Sequence, residues 1–307
     1  TVVEDASIGA TVGITAQSTD ADASDTVTYS LTDDAGGLFA IDGSTGVVTV
    51  NGTLDAETAT SHTITVAASD GTNSNTSDFT IVVSDVNDNS PTTPTDADGS
   101  SNSVAEDATV GTAVGITASA TDTDASDTVT YSLTDDADGR FAIDSATGIV
   151  TVIGDLDAET ATSQDITVQA SDGSNVSTTT FTVAVTDVND NSPTMPTDTD
   201  GSSNSVAEDA AVGDTVGITA SSTDADASDT VTYSLTDDAG GRFAIDPSTG
   251  VVTVASDLGD QDGTHSITVE SSDGTRSSTT AFSVTVLPAD NDLFTGDDQS
   301  QIDNDVD

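Results

Sequence analysis

The sequence predicts an all-β protein made of three tandem Greek-key β-sandwich domains in an elongated array. Three observations predict it. The chain repeats itself every 102 residues, a spacing shared by Glu4, Glu106 and Glu208, by Tyr29, Tyr131 and Tyr233, and by Phe39, Phe141 and Phe243; a self-match at one fixed period means tandem domains. Within each copy apolar and polar residues alternate with period two, the mark of a half-buried strand. Between these runs lie clusters of Gly, Asp, Ser and Thr, which are turn chemistry, and no stretch carries a helical period.

In copy one the alternating runs are Val12, Ile14 and Ala16, then Val27, Tyr29 and Leu31, then Ile64, Val66 and Ala68, and last Phe79, Ile81 and Val83. Two short strands, around Phe39 and Ile41 and around Val48 and Val50, flank the turn Asp42-Gly43-Ser44-Thr45-Gly46. A seventh is expected near Val2, and near Val104 in copy two. Seven short antiparallel strands in about 100 residues make a sandwich with Greek-key connections, its termini at opposite ends. The expected domains are 1–91, 92–193 and 194–292, followed at 293–307 by an acidic tail or the start of another segment. The connectors 92–103 and 194–205 are nearly free of apolar residues and carry Asp96 and Asp98, or Asp198 and Asp200, beside a Gly. They read as solvated lead-ins to the next domain, with an extra cation site as the alternative.

Composition narrows the function. Asp and Glu number 55 against three Arg and no Lys, for a formal charge of −52, so nucleic acid and anionic membranes are excluded as partners and cations are expected. Crowded carboxylates repel one another until a cation arrives, so the metal-free chain is expected to be loose. With no cysteine, neither disulfides nor thiolate metal sites are available. No apolar run reaches the roughly 18 residues of a membrane helix. The absence of an initiator Met or signal peptide suggests a segment of a longer protein.

One string stands at the end of copies one and two: DVNDNSP, at Asp85 to Pro91 and at Asp187 to Pro193. Two Asp and two Asn in seven residues form an oxygen-rich hinge, and hard cations such as calcium take six to eight oxygen ligands of this kind. Four further elements recur in register: an early Glu (Glu4), TDAD (Thr19 to Asp22), LDAE (Leu54 to Glu57) and ASDG (Ala68 to Gly71). Together and in this order, with FAIDGSTGVVTV from Phe39 to Val50, they resemble the cadherin repeat in its bacterial form across all three copies. The resemblance implies a cadherin or immunoglobulin-like sandwich and calcium, typically three ions, in the joint between successive domains.

By that match the first joint draws Glu4, Asp55 and Glu57 from the base of copy one. The hinge supplies Asp85, the side chains of Asn87 and Asp88, and the carbonyls of Val86 and Asn89, and the top of copy two supplies Asp122, Asp124 and Asp172. The second joint uses Glu106, Asp157 and Glu159, then Asp187, Val188, Asn189, Asp190 and Asn191, then Asp224, Asp226 and Asp273. An Asn that follows the family's DxD has no counterpart here, and Asp127 or Asp229 stands in for it. Asp20, Asp22 and Asp70 make an upper half-site, which implies a preceding repeat. Copy three departs from the pattern: Leu258-Gly259-Asp260-Gln261 replaces LDAE, and its linker reads Pro288-Ala289-Asp290-Asn291-Asp292. Its lower site has lost the family's carboxylates, and the tail 293–307 reads as disordered or as a further metal-binding segment.

Six calcium ions would supply about +12 charges and leave roughly −40 uncompensated. Salt adaptation, a hydrated acidic surface soluble in brine, accounts for the remainder. The expected function is that of a calcium-rigidified extracellular stalk or spacer in a large cell-surface or secreted adhesin, its partners being calcium and neighbouring cadherin-like domains. Alternatives are a self-associating filament or surface-layer component, or a polysaccharide-binding module of a salt-adapted microbe. The absence of Trp, with only three Tyr and seven Phe, argues against an aromatic sugar platform. No enzyme is expected: His62 and His265 are replaced by Gln164 in copy two, have no fixed nucleophile beside them, and read as strand-rim residues.

Overall fold

Val, Ile and Thr dominate the alternating runs, and branching at Cβ suits a pleated surface better than a helix. The computed structural model describes residues 1–22, 24–125 and 127–289, which form strands and turns with no α-helix among them. The expected copy-three linker residues Asp290, Asn291 and Asp292 and the tail 293–307 lie outside the described residues. The first repeat holds β1 (Val2–Val3), β2 (Thr11–Thr15), β3 (Thr28–Asp33), β4 (Phe39–Ile41), β5 (Val47–Val50), β6 (Ser61–Ser69) and β7 (Ser74–Ser84). The second holds β8 (Thr95–Asp96), β9 (Ser103–Ala105), β10 (Ala113–Ser119), β11 (Thr130–Asp135), β12 (Phe141–Ile143), β13 (Ile149–Val152), β14 (Ser163–Ser171) and β15 (Val176–Thr186). The third holds β16 (Thr197–Asp198), β17 (Ser205–Ala207), β18 (Thr215–Ser221), β19 (Thr232–Asp237), β20 (Phe243–Ile245), β21 (Val251–Val254), β22 (Gly263–Ser272) and β23 (Ser277–Leu287).

Each repeat is a sandwich of two sheets. In the first the orders are β1-β7-β6-β3 and β2-β5-β4; in the second, β11-β14-β15-β9 and β12-β13-β10-β8; in the third, β17-β23-β22-β19 and β16-β18-β21-β20. The seventh strand lies where the sequence places it, at Val2 and at Val104. The expectation of a wholly antiparallel set is corrected, because β1 runs parallel to β7 with Val2 opposite Val83, and β17 runs parallel to β23 with Ser205 opposite Thr285. Such a parallel pair lets the chain leave a sandwich at the end opposite its point of arrival. In the third repeat Thr194 donates its amide to Thr223 on the upper loops, while Ala207 pairs with Leu287 at the base.

The connectors are partly strand. Asp96 pairs with Ala118, and its Oδ1 accepts the Thr117 amide at 3.1 Å; Asp98 Oδ1 accepts the Ser100 amide at 2.7 Å. Asp198 and Asp200 repeat these bonds with Thr219 and Ser202. The four carboxylates therefore shape turns and strand edges.

Inward-facing positions fill the cores. In the first repeat Val12, Phe39, Val48, Ile64, Ile81 and Val83 form a buried cluster, and in the third Val216, Phe243, Val252, Ile267, Val284 and Val286 do the same. His62 and His265 lie against Phe39 and Phe243 with ring centroids 5.9 and 6.4 Å apart, which accounts for both histidines as packing residues. Asp42 Oδ1 accepts the amides of Ser44 and Thr45 and the Thr45 hydroxyl, and Asp144 and Asp246 cap the same turn in the other repeats. These bonds, from Thr45 first, hold the Asp42 carboxyl below its ordinary value. Gly148 ends the second such turn at φ 73°, and a Cβ there would overlap the Ala118 carbonyl.

The chain packs into two compact units. Among the described residues one comprises Thr1–Val104, Ala108–Leu156 and Ser163–Ala184; the other comprises Ala105–Asp107, Asp157–Thr162 and residues 185–289. The base of the second repeat thus packs with the third, and each acidic joint lies wholly inside one unit.

Candidate metal centres at the two joints

Three kinds of local structure deliver the acidic residues. Glu4 follows β1, Asp55 and Glu57 sit on the turn between β5 and β6, and Asp172 sits on the turn between β14 and β15. The hinge follows β7. Asp122 and Asp124 ride on the loop after β10, which is pinned to the sheet because the Tyr131 hydroxyl accepts the Ala120 amide at 2.9 Å. Tyr29 and Tyr233 hold the matching loops through Ser18 and Ser222, also at 2.9 Å. The three tyrosines spaced by 102 residues therefore have a positioning role.

At the first joint Glu4 is the buried anchor, 5 % exposed. Its Oε2 accepts the Ala56 amide at 2.5 Å and its Oε1 accepts the Val86 amide at 2.6 Å, so one carboxylate ties the base turn to the hinge. Oxygens of Glu4, Glu57 and Asp85 lie within 4.8 Å of one another, and oxygens of Glu57, Asp88 and Asp124 do likewise. Glu57 belongs to both groups. Asn89 locks the hinge onto the second repeat: its amide donates to Asp124 Oδ2 at 3.0 Å, and its Nδ2 donates to Asp124 Oδ1 at 2.7 Å and to Asp88 Oδ1 at 2.9 Å. A cavity of ≈ 430 Å³ opens beside Glu4, Asp55, Glu57, Asp88 and Asn89.

The second joint repeats the design. Glu106 Oε2 accepts the Ala158 amide at 2.6 Å and Oε1 accepts the Val188 amide at 2.7 Å. Glu106, Glu159 and Asp187 form one group and Glu159, Asp190 and Asp226 the other. Asn191 holds Asp226 through its amide and Nδ2 at 2.9 and 2.8 Å, and Asp190 through Nδ2 at 2.8 Å.

The electrostatics are those of crowded anions. A hydrogen bond shared with Asp85, then burial and the charge of Glu4, raise the Glu57 carboxyl from its ordinary 4.5 to about 7. Burial, then a hydrogen bond with Asp187 and the charge of Glu106, bring Glu159 to about 7 as well. Asp88 and Asp190 are raised too, first by burial and then by the surrounding carboxylates. Such shifts mark sites that favour a proton or a cation.

Several of the expected ligands also make hydrogen bonds that shape the turns around the joints. Asp55 Oδ1 and Oδ2 accept the Thr58 amide and hydroxyl at 2.9 and 2.8 Å, and Asp157 does the same with Thr160. Both cap the base turn and border the carboxylate groups. Val86 and Val188 make their contact through the amide N–H, which holds the anchoring Glu. Asp122, Asp172, Asp224 and Asp273 are close by, and each keeps a buried Oδ2 that accepts no hydrogen bond. Asp229 joins the second joint, where Asn189 Nδ2 donates to it and burial, then Asp226, Asp273 and Asp224, raise its carboxyl. In the first repeat the upper group is Asp20, Asp25 and Asp70. Asp25 rather than Asp22 brings an oxygen within 4.8 Å of those of Asp20 and Asp70, and the Asp22 amide donates to Asp20 Oδ1 at 2.7 Å.

Two residues that sequence reasoning missed cross the joints. Asn175 Nδ2 donates to Asn87 Oδ1 at 3.0 Å and to the Asn89 carbonyl at 2.7 Å. At the same place in the third repeat Arg276 Nη1 donates to the Asn189 carbonyl at 2.5 Å and to Asn189 Oδ1 at 3.1 Å. The available signal was position: each stands three residues after the Asp of the DG turn.

Carboxylates and amides drawn from the base of one sandwich, the hinge and the top of the next define a class: tandem β-sandwich modules with acidic joints. The family model described as Cadherin domain matches residues 1–84, 100–186 and 202–287. The chain belongs to the cadherin family. It is 37% identical over 252 residues to human Protocadherin Fat 1, an alignment covering 78% of this chain and 5% of that protein. It is 35% identical over 259 residues to the Drosophila melanogaster Protocadherin-like wing polarity protein stan, covering 78% of this chain and 7% of that protein. The crystal structure of mouse Cadherin-23 EC22-24 superposes with a TM-score of 0.70 at 31% identity, covering 93% of this chain and 94% of that one. The chain thus spans a small fraction of the length of the curated relatives it matches. The family places these domains outside the cell or at its surface and associates them with cell adhesion.

Proposed function

We propose that both joints bind Ca²⁺ and that the ions convert this run of repeats into a stiff spacer within a larger cell-surface or secreted adhesin. The observation that carries the reading is the pair of carboxylate groups at each joint, linked through Glu57 or Glu159 and drawn from base, hinge and top. The donors fit the ion. They are all oxygen, which suits a hard cation and suits zinc or copper poorly. Buried Oδ2 atoms of Asp122 and Asp172, and of Asp224 and Asp273, have no hydrogen-bond partner, and a buried carboxylate oxygen left in that state is costly unless a cation meets it. Glu4, Glu57, Asp85, Asp88, Asp122, Asp124, Asp172 and the Asn89 carbonyl would hold ions at the first joint, with the equivalent set at the second. Bound calcium supplies positive charge that bridges two sandwiches otherwise joined by a short hinge, and so fixes their relative orientation.

The reading assigns no catalytic step to the chain, and it leaves the bacterial origin as part of the proposal. Small-angle scattering in chelator, in millimolar calcium and in sodium chloride of matched ionic strength tests it. A single extended form that requires calcium is the expected result. Equal extension in sodium chloride would assign the acidic residues to salt adaptation instead.

A further inference from the structure

We propose that Arg276 is a resident cation of the second joint, standing where the first joint takes a divalent ion, so that the second joint binds one calcium ion fewer than the first. The inference rests on the calcium reading above and concerns how the two joints differ.

Asn175 and Arg276 leave the backbone from equivalent points of one turn. The Asn175 amide donates to Asp172 Oδ1 and the Arg276 amide to Asp273 Oδ1, both at 2.6 Å, while their carbonyls accept the Asp172 and Asp273 amides, both at 3.3 Å. What differs is the side chain each turn presents to the hinge. Asn175 carries no charge. Rotating its amide frees Asn87 Oδ1 and the Asn89 carbonyl, and can offer the Asn175 oxygen as a further ligand.

Arg276 has no such freedom. A guanidinium stays protonated, offers five donors in a fixed fork and cannot accept. Its Nη1 holds both oxygens of Asn189, the carbonyl and Oδ1. Asn189 in turn donates Nδ2 to Asp229, so the hydrogen-bonded chain Arg276, Asn189, Asp229 fills this side of the joint. A divalent ion placed on Asn189 Oδ1 would have to displace the guanidinium or lie beside it against like-charge repulsion.

The placement is also selective. The chain has three Arg and no Lys. Arg140 and Arg242 stand on equivalent turns and donate to the Ala137 and Ala239 carbonyls of their own loops, and Arg242 Nη2 donates also to Gln261 Oε1 at the base of the third repeat, away from both joints. Arg276 alone of the three reaches a joint.

The test is calorimetric titration of the full chain with calcium chloride at roughly physiological ionic strength, where surface charges are largely screened. Wild type, R276N and N175R are compared. R276N is expected to bind one ion more than wild type, and N175R one ion fewer. An independent readout is the Arg276 side-chain Nε–Hε signal by NMR, expected to keep its chelator-state shift and exchange protection at saturating calcium. Equal ion counts for wild type and R276N, or an Arg276 signal that moves to the solvent-exposed position as calcium binds, would overturn the inference while leaving calcium at the joints intact. A wild type that binds no calcium stoichiometrically removes the joint reading itself, and that result is read before any variant is made.

Discussion

The Glu4 carboxylate accepts the Ala56 amide at 2.5 Å across 52 residues of sequence, and with its other oxygen it accepts the Val86 amide. Base turn and hinge are therefore registered to each other by one side chain before any ion is considered. Replacing it by Gln removes the charge and turns an acceptor toward a donor N–H. Glu4→Gln should weaken calcium binding at the first joint by at least about tenfold, and leaving a buried amide unsatisfied should cost about 1–3 kcal/mol in chelator. Calorimetric titration and thermal melting of the same sample check both, and an unchanged affinity would remove Glu4 from the site.

Asp88 and Asp190 sit on the hinges, outside the strands of either neighbouring sandwich. Asp88→Ala with Asp190→Ala is expected to abolish calcium-dependent extension in small-angle scattering while circular dichroism retains the full strand signal. Loss of the strand signal would show that the hinges support the sandwiches as well as the joints.

The joints also predict proton release. Glu57 and Glu159 have carboxyls raised from 4.5 to about 7 in the ion-free state. A raised acid stabilises the fold below its unfolded value and loses that contribution as pH rises through the folded value, so ion-free joints weaken between about pH 4.5 and 7. Calcium needs the ionised form, so its affinity should rise over the same interval, with protons released on binding. Titrations near pH 7 in buffers of different ionisation enthalpy measure that release, and a heat independent of buffer would contradict it.

Turn-capping carboxylates should behave in the opposite way. Asp144→Ala removes the acceptor of the Ala146 and Thr147 amides and should lower the melting temperature of the second sandwich equally in chelator and in calcium. The Asp144 carboxyl is held below its ordinary 3.8, first by the Thr147 amide, so its contribution is present above that value and is lost on further acidification. A calcium-dependent effect of this variant would mean that the turn communicates with a joint.

Phe141 is 1 % exposed, inside the core of the second repeat. Phe141→Ala should cost about 3–5 kcal/mol through lost burial and the cavity left behind. Denaturant melts in saturating calcium would register the loss, and a smaller cost would imply that the sandwich collapses onto the vacancy.

Much of this was legible in the chain. The spacing of 102 residues brought DVNDNSP, TDAD and LDAE into register, and Glu57, Asp85, Asp88 and Asp124 do converge. Asp55 caps its turn through Thr58, a part that an Asp three residues before a Thr suits as readily as ion binding, and the structure adds that cap to the reading. Asp22 and Asp25 could not be ranked, since the choice depends on how the loop after β2 closes. Asn175 and Arg276 acquire their meaning only from the fold, which brings the hinge oxygens of Asn87, Asn89 and Asn189 within their reach.

The sequence by itself determined the period-two strands, the threefold repeat and an all-oxygen donor set, because these follow from local residue chemistry and its spacing. The tertiary structure decided which oxygens meet, that β1 and β17 run parallel to β7 and β23, and that Arg276 reaches the second hinge. Those outcomes depend on distances between residues as many as 88 apart in the chain, as for Asn175 and Asn87. Sheet packing and turn closure set such distances, and no local pattern encodes them.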